Sequence, residues 1–317
     1  MPTTLIATVL LFLLGLVLIV KGGDFFVDAA VWMAEASGVP RFLIGATIVS
    51  LATTLPELMV SIMGVLRGEV DLAIGNAVGS VTANTGLIMA ISVICIPAVI
   101  RKKEFRMKGL LLIAASGLLW MVCRHGQLTI LSSLLLLAVF LLFIWENVRA
   151  ARDSVGGGSS GRSAPDKGEL PRQLVKFLLG IIGIVAGADL LIDNGSSLAL
   201  QLGVPASIVG VTVIAIGTSL PELVTTLTAI VKRESNLSIG NIVGANIIDL
   251  TLILPVCSLI SQGKLAIGPQ SAGLDLPVCF GITLLGAIPP LVTGKFYRWQ
   301  GVVMMAAYVV YLVVLVG

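Results

Sequence analysis

The chain has 317 residues, 57% of them hydrophobic and only 12% charged, with a mean hydropathy of +1.07. Water-soluble domains carry about 25% charged residues, so this composition excludes a soluble enzyme or binding module and specifies an integral membrane protein. The net charge of +3 says little by itself, and no nucleic-acid partner is expected.

A hydrocarbon core about 30 Å thick needs roughly 20 apolar residues per helix. Apolar runs fall at 4–20, 42–66, 72–100, 109–122, 127–145, 174–192, 205–231, 237–262, 274–293 and 299–316. The fold class read from them is an all-α membrane protein with ten transmembrane helices. The first run lacks the basic flank and small-residue cleavage site of a signal peptide, so it reads as the first span. Segments 21–41 and 186–203 keep helical spacing, which predicts that the first and sixth helices run past their apolar cores. Residues 149–172 are Gly/Ser-rich and charged, a flexible loop between residues 1–148 and 173–317. The four cysteines lie in or at the ends of apolar runs without a C-x-x-C pair, as small hydrophobes do. His125 is the single histidine, which excludes a His-rich zinc centre.

Residues 45–84, GATIVSLATTLPELMVSIMGVLRGEVDLAIGNAVGSVTAN, align without a gap to 210–249, GVTVIAIGTSLPELVTTLTAIVKRESNLSIGNIVGANIID, at an offset of 165. At the same offset VKGGDFFVD (20–28) matches VAGADLLID (185–193). The repeat unit therefore holds five spans. Two consecutive copies with an odd number of spans have opposite orientations, the inverted topology of secondary transporters. If loops are sorted by alternate sides, one side receives all of the 20 Lys and Arg except Arg67, Arg124 and Lys264. That side is expected to be cytoplasmic. Both termini are then outside a multi-pass cell (inner) membrane protein and the 149–172 loop is inside. The run Arg101, Lys102, Lys103, Arg106 and Lys108 reads as part of this topology signal, with anionic-lipid contact secondary.

Glu57 and Glu222 sit deep in their runs, where a carboxylate costs at least ~2.5 kcal/mol. No Lys or Arg shares that depth in these runs, so the natural partner is a bound cation. Pro56 and Pro221 precede the glutamates and withhold a backbone donor, freeing carbonyls near Ala52 and Thr53 and near Gly217 and Thr218. Thr53, Thr54, Thr218 and Ser219 add hydroxyl oxygens. Such hard oxygen ligands suit Ca²⁺, Na⁺ or similar cations. The following helix carries Asn76 and Asn241 near its start, then Ser80 with Asn84, and Ala245 with Asp249, four apart on one face. With Glu57 and Glu222 balancing one Ca²⁺, Asp249 would be surplus negative charge in a dry site, and the expectation is that it carries a proton at neutral pH. Asp24/Asp28 and Asp189/Asp193 read instead as solvated charges near helix ends.

T-[ST]-L-P-E followed by G-N-x-V-G-[SA], twice in a ten-span chain, resembles the sodium/calcium exchanger family, the cation/Ca²⁺ antiporter superfamily. The short central loop is similar to prokaryotic members. The resemblance implies ion sites between helices 2, 3, 7 and 8, and helices 1 and 6 that slide as a pair. Glu57 and Glu222 would be shared Ca²⁺ and Na⁺ ligands, and Thr53 and Thr218 would serve Ca²⁺ mainly through backbone oxygens. Thr54, Ser80 and Ser219 would serve flanking Na⁺ sites, with the Ser50 and Ala215 carbonyls as weaker candidates. Asn84 and Asp249 would line the middle. Thr54 stands where the family usually has Ser, Val81 where Asn is usual, and Ala245 where a Na⁺-liganding Ser is usual, which puts the driving ion and stoichiometry in doubt.

The leading reading is a secondary antiporter exchanging Ca²⁺ for Na⁺ by alternating access. Ca²⁺/H⁺ exchange and a K⁺-dependent variant are the alternatives in the same class. A cation channel is disfavoured because both halves of the site lie in one chain. No nucleophile, nucleotide motif or resident cofactor is expected, nor an enzymatic activity. The expected partners are the lipid bilayer and the transported ions, with no obligate protein.

Overall fold

The computed structural model describes residues 2–68, 70–97, 99–100, 102–124, 126–156, 167–201 and 219–316. Ten helical elements are present among them. α1 is Pro2–Ser37, and α2 is the bent pair Arg41–Thr53 and Leu55–Leu66. α3 is Val70–Cys95, α4 Lys102–Cys123, α5 Ile130–Gly156 and α6 Leu170–Gln201. α7 is Leu220–Val231, α8 Ser235–Ile260, α9 Ser271–Thr293 and α10 Arg298–Val316. Eight of these are long and apolar enough to cross a membrane, and α2 joins them if its two halves count as one span. The described part of α7, 12 residues, is too short to span alone.

α1 and α6 are the longest helices, at 36 and 32 residues, as the amphipathic extensions predict. They lie along each other on a seam of glycines. A Cβ at Gly15 would stand 2.9 Å from Gly187 O, and one at Gly187 would stand 2.8 Å from Gly15 O. A Cβ at Gly22 would meet Gly180 O at 2.9 Å, while Gly180 abuts the Phe26 backbone. Gly15 and Gly22 are the 165-offset equivalents of Gly180 and Gly187, so the contact is reciprocal, as across a two-fold axis. Close backbone approach through small residues is how helices associate in lipid.

The connections segregate to opposite ends of the bundle. At one end Ile100 N–H bonds Gly294 O at 3.1 Å, and Arg41 pairs with Glu234 at 2.9 Å. At the other, β1 (Gln127–Leu128) pairs antiparallel with β2 (Leu265–Ala266), and Gln127 Nε2 bonds Gly263 O at 3.2 Å.

Three expectations change. The helices consume much of the predicted loop: α5 continues to Gly156 and α6 starts at Leu170, so only 157–166 lie outside the described residues between α5 and the short turn Lys167–Glu169. Asp28 is exposed and Asp24 half-buried, but they stand inside α1 and both pair with Lys232 at the end of α7. Lys108 is no surface topology charge. It is fully buried in α4, ion-paired to Glu146 of α5, with its Nζ 5.9 Å from the Phe42 ring. Arg101 and His125 lie outside the described residues. Cys123, Cys257 and Cys279 are buried and Cys95 is exposed, all free.

Candidate cation site

α2, α3, α7 and α8 converge at the middle of the bundle, and the sequence explains how each presents its polar groups. α2 breaks at Thr54 with a bend of 41°. Pro56 has no N–H to offer the Ala52 carbonyl, so the ladder is carried past the break by Thr54 N–H to Ser50 O (2.9 Å) and Leu58 N–H to Thr54 O (3.1 Å). Ser219 occupies the equivalent position before α7, with the same backbone: φ −86°, ψ 3° against −83°, −4° at Thr54. Pro56 and Pro221 thus fall in the first turn of the helical segments Leu55–Leu66 and Leu220–Val231, which carry Glu57 and Glu222. Both glutamates stand at helix N-termini, where unpaired N–H groups and the helix dipole favour negative charge.

Asn84 and Asp249 each open a π-helical turn, Asn84–Met89 in α3 and Asp249–Ile253 in α8. A π-turn carries one extra residue and bulges the helix, a device frequent at functional sites. Sequence periodicity carries no sign of these turns, nor of another at Gly45–Val49 in α2.

Glu57, Glu222, Asp249 and Asn84 are each 1% exposed. The Glu57 and Glu222 carboxyl groups face each other within reach, acceptor against acceptor, and Asp249 stands in electrostatic range of both. All six carboxyl oxygens of these three residues, and the Asn84 side-chain oxygen, are buried without a hydrogen-bond donor. Buried polar atoms almost always have partners. These unpartnered oxygens make a candidate cage for a small cation, although among the described residues no three acidic, His or Cys side chains are grouped as a ready-made metal site.

The surrounding hydrogen bonds hold this cage from behind. Asn76 Nδ2 of α3 donates to Glu57 O (3.0 Å) and to Ser61 Oγ (2.9 Å). Thr53 Oγ1 donates to Asn241 Oδ1 of α8 at 3.2 Å. Asn246 Nδ2 donates to Thr85 Oγ1 at 2.7 Å, tying α8 to α3. The sequence had not singled out Thr85; its position beside Asn84 is the only hint. Asn246 therefore has a partner, while its counterpart Val81 is buried and apolar.

Two flanks of the cage differ. On one, Ser80 and Ser219 bring two hydroxyls together at 3.4 Å. The equivalent residues are Thr54 and Ala245, both buried, and Ala245 offers no oxygen. The Thr54 hydroxyl donates to Ser50 O at 2.6 Å, leaving its lone pairs available. Ser50 O also accepts the Thr54 amide at 2.9 Å, so this carbonyl already serves two donors. Thr218 and Ala215 lie outside the described residues.

The family model described as "Sodium/calcium exchanger protein" matches residues 7–148 and 172–317. The chain is 33% identical over 314 residues to inner membrane protein YrbG of Escherichia coli (strain K12), covering 93% of this chain and 96% of that protein. It is 30% identical over 348 residues to sodium/calcium exchanger MaX1 of Methanosarcina acetivorans, covering 96% and 97%. Among solved structures it superposes on the sodium-calcium exchanger NCX_Mj soaked with zero Na⁺ and Ca²⁺, at a TM-score of 0.83 and 30% identity over 98% of this chain and 99% of that one.

Proposed function

Since the chain belongs to the sodium/calcium exchanger family, a family of membrane cation antiporters and not of enzymes, we propose that it exchanges Ca²⁺ for Na⁺ by alternating access. In this reading ten helices form two inverted five-helix repeats, both termini face outward, and the loop between the repeats is cytoplasmic. Ca²⁺ binds between Glu57 and Glu222, with oxygens from Thr53 and Thr218. Na⁺ ions bind the same glutamates from the flanks, aided by Ser80 and Ser219 on one side and Thr54 on the other. Asn84 and Asp249 line the middle.

The observation that carries this reading is the set of carboxyl oxygens with no donor inside the protein. Two ionised glutamates that face each other at membrane depth repel, and a cation between them offsets the cost while leaving both carboxylates charged. Ca²⁺ and Na⁺ both match hard oxygen ligands, and both cannot occupy the same two carboxylates at once. Competition for one charge set is what couples entry of one ion to exit of the other.

The test is ⁴⁵Ca²⁺ uptake into proteoliposomes driven by an outward Na⁺ gradient, with a pH gradient as comparison. Uptake is expected under the Na⁺ gradient alone. Glu57→Gln and Glu222→Gln are each expected to abolish it, because an amide cannot balance a divalent ion. Parental rates in either variant would refute the site.

A further inference from the structure

Lys232 and Arg67 are equivalent at the 165-residue offset, as are Asp24 with Asp189 and Asp28 with Asp193. Only one of the two sets is joined. Lys232 Nζ lies 2.6 Å from Asp28 Oδ1, 3.3 Å from Asp24 Oδ1 and 3.1 Å from Asp24 O. Among the described residues no ion pair joins Arg67 to Asp189 or Asp193, and all three are exposed.

The local frames do not explain the difference. Arg67 caps α2 at φ −87°, ψ −3° and Lys232 caps α7 at φ −82°, ψ 0°. Each is followed by a left-handed residue, Gly68 at φ 80° and Arg233 at φ 59°. The packing of the long helices does differ. Gly23 of α1 presses on α7, where a Cβ would meet Thr228 Oγ1 at 2.6 Å and Val224 Cγ1 at 3.1 Å. The α2 residues equivalent to Val224 and Thr228 are Met59 and Met63, which are 59% and 43% exposed. So α1 covers α7, whereas α6 leaves the matching face of α2 open.

We propose that Lys232 with Asp24 and Asp28, and Arg67 with Asp189 and Asp193, are two ion-pair latches that close alternately on opposite faces, the first closed and the second open in this structure. This rests on the inverted-repeat reading above. α1 and α6 are joined through their glycine seam, so they move as one body. A slide that carries α6 over Met59 and Met63 brings Asp189 and Asp193 towards Arg67 and withdraws Asp24 and Asp28 from Lys232. The six residues act as positioning residues: they touch no transported ion and set which face is open.

The test uses the full chain in its membrane, with Cys95→Ser to remove the exposed thiol. One cysteine pair is Asp28→Cys/Lys232→Cys and the other Arg67→Cys/Asp193→Cys, treated with a short bifunctional thiol reagent. Each pair alone is expected to link. With all four substitutions present, each molecule is expected to carry one link and never both. Molecules with both links, or failure of either pair to link alone, would overturn the proposal. In oriented vesicles, Lys232→Gln and Arg67→Gln should shift the apparent Ca²⁺ affinities of the two faces in opposite directions, by about threefold. The reversed pair Asp28→Lys/Lys232→Asp should restore the parental balance. Shifts in the same direction would overturn the latch. Lack of Na⁺-dependent Ca²⁺ flux in the parent would instead sink the exchange reading, and the cross-links would still decide the latch.

Discussion

Gly244 of α8 offers the sharpest check on how the cage is held. A Cβ there would stand 2.5 Å from Ser50 Oγ, 2.7 Å from Ala46 O and 2.8 Å from Ala46 Cα. Ordinary contact is about 3.5 Å, so in Gly244→Ala the two helices must separate by about 0.7 Å. The Ser50 hydroxyl can rotate away, but the Ala46 backbone cannot. Overpacking of this kind costs about 1–3 kcal/mol, against which better helix propensity returns at most about 1 kcal/mol. The net expectation is a protein destabilised by about 1 kcal/mol. The displaced elements carry Asp249 five residues on and the Thr54 break one turn on. Binding constellations tolerate about 0.5 Å of misplacement, so Ca²⁺ uptake should fall about tenfold. The assays are the unfolding midpoint in detergent and ⁴⁵Ca²⁺ uptake in proteoliposomes. Gly281→Ala is the control: no described atom lies within 4 Å of its Cβ, so its midpoint should hold or rise. A Gly244→Ala protein as stable and active as its parent would refute backbone-to-backbone packing of α2 on α8.

Lys108→Met leaves Glu146 without its cation and should lower the unfolding midpoint by the equivalent of about 3 kcal/mol, while Lys108→Met/Glu146→Leu should recover most of it. Recovery by the double variant, read in the same melting assay, is the decisive comparison. Ala245→Ser restores the missing flank hydroxyl. One added oxygen contact of about 1 kcal/mol corresponds to about fivefold tighter Na⁺ activation, measured as Na⁺-dependent ⁴⁵Ca²⁺ efflux; an unchanged Na⁺ response means this position takes no part. Asp249→Asn should leave Ca²⁺ affinity within about tenfold of parental if Asp249 already carries a proton. A larger loss, measured by equilibrium ⁴⁵Ca²⁺ binding, means an ionised ligand.

The parts of the site legible in the sequence are those written into one helix or repeated in both halves. A proline before a glutamate in an apolar run dictates a helix start with a charged first turn, which Leu55–Leu66 of α2 and Leu220–Val231 both have; among the described residues the break itself is seen in α2. The overlong α1 and α6 follow from helical spacing beyond the apolar core. What stayed hidden depends on distant contacts or on one-residue changes of winding. Lys108 stands in a basic run that looks like its neighbours, and only the docking of α5 and Phe42 gives it a buried counter-charge. Asp28 and Lys232 are 204 residues apart, so no local pattern links them. The π-turns at Asn84 and Asp249 shift helix phase by a single residue, too little to disturb an apolar periodicity where both faces are buried.

The length of α1 gives the lipid a mechanical role. At 1.5 Å per residue its 36 residues make a rod about 54 Å long, against a hydrocarbon core of about 30 Å. Even a tilt of 40° leaves about 15 Å of it beyond the core. α6 is nearly as long and is sutured to α1 by glycine, so the two lean together. A thinner bilayer forces them flatter and a thicker one draws them upright. Acyl-chain length therefore acts on the same pair of rods that covers α7 and leaves α2 open, and membrane thickness becomes a physical setting of the machine alongside its ion gradients.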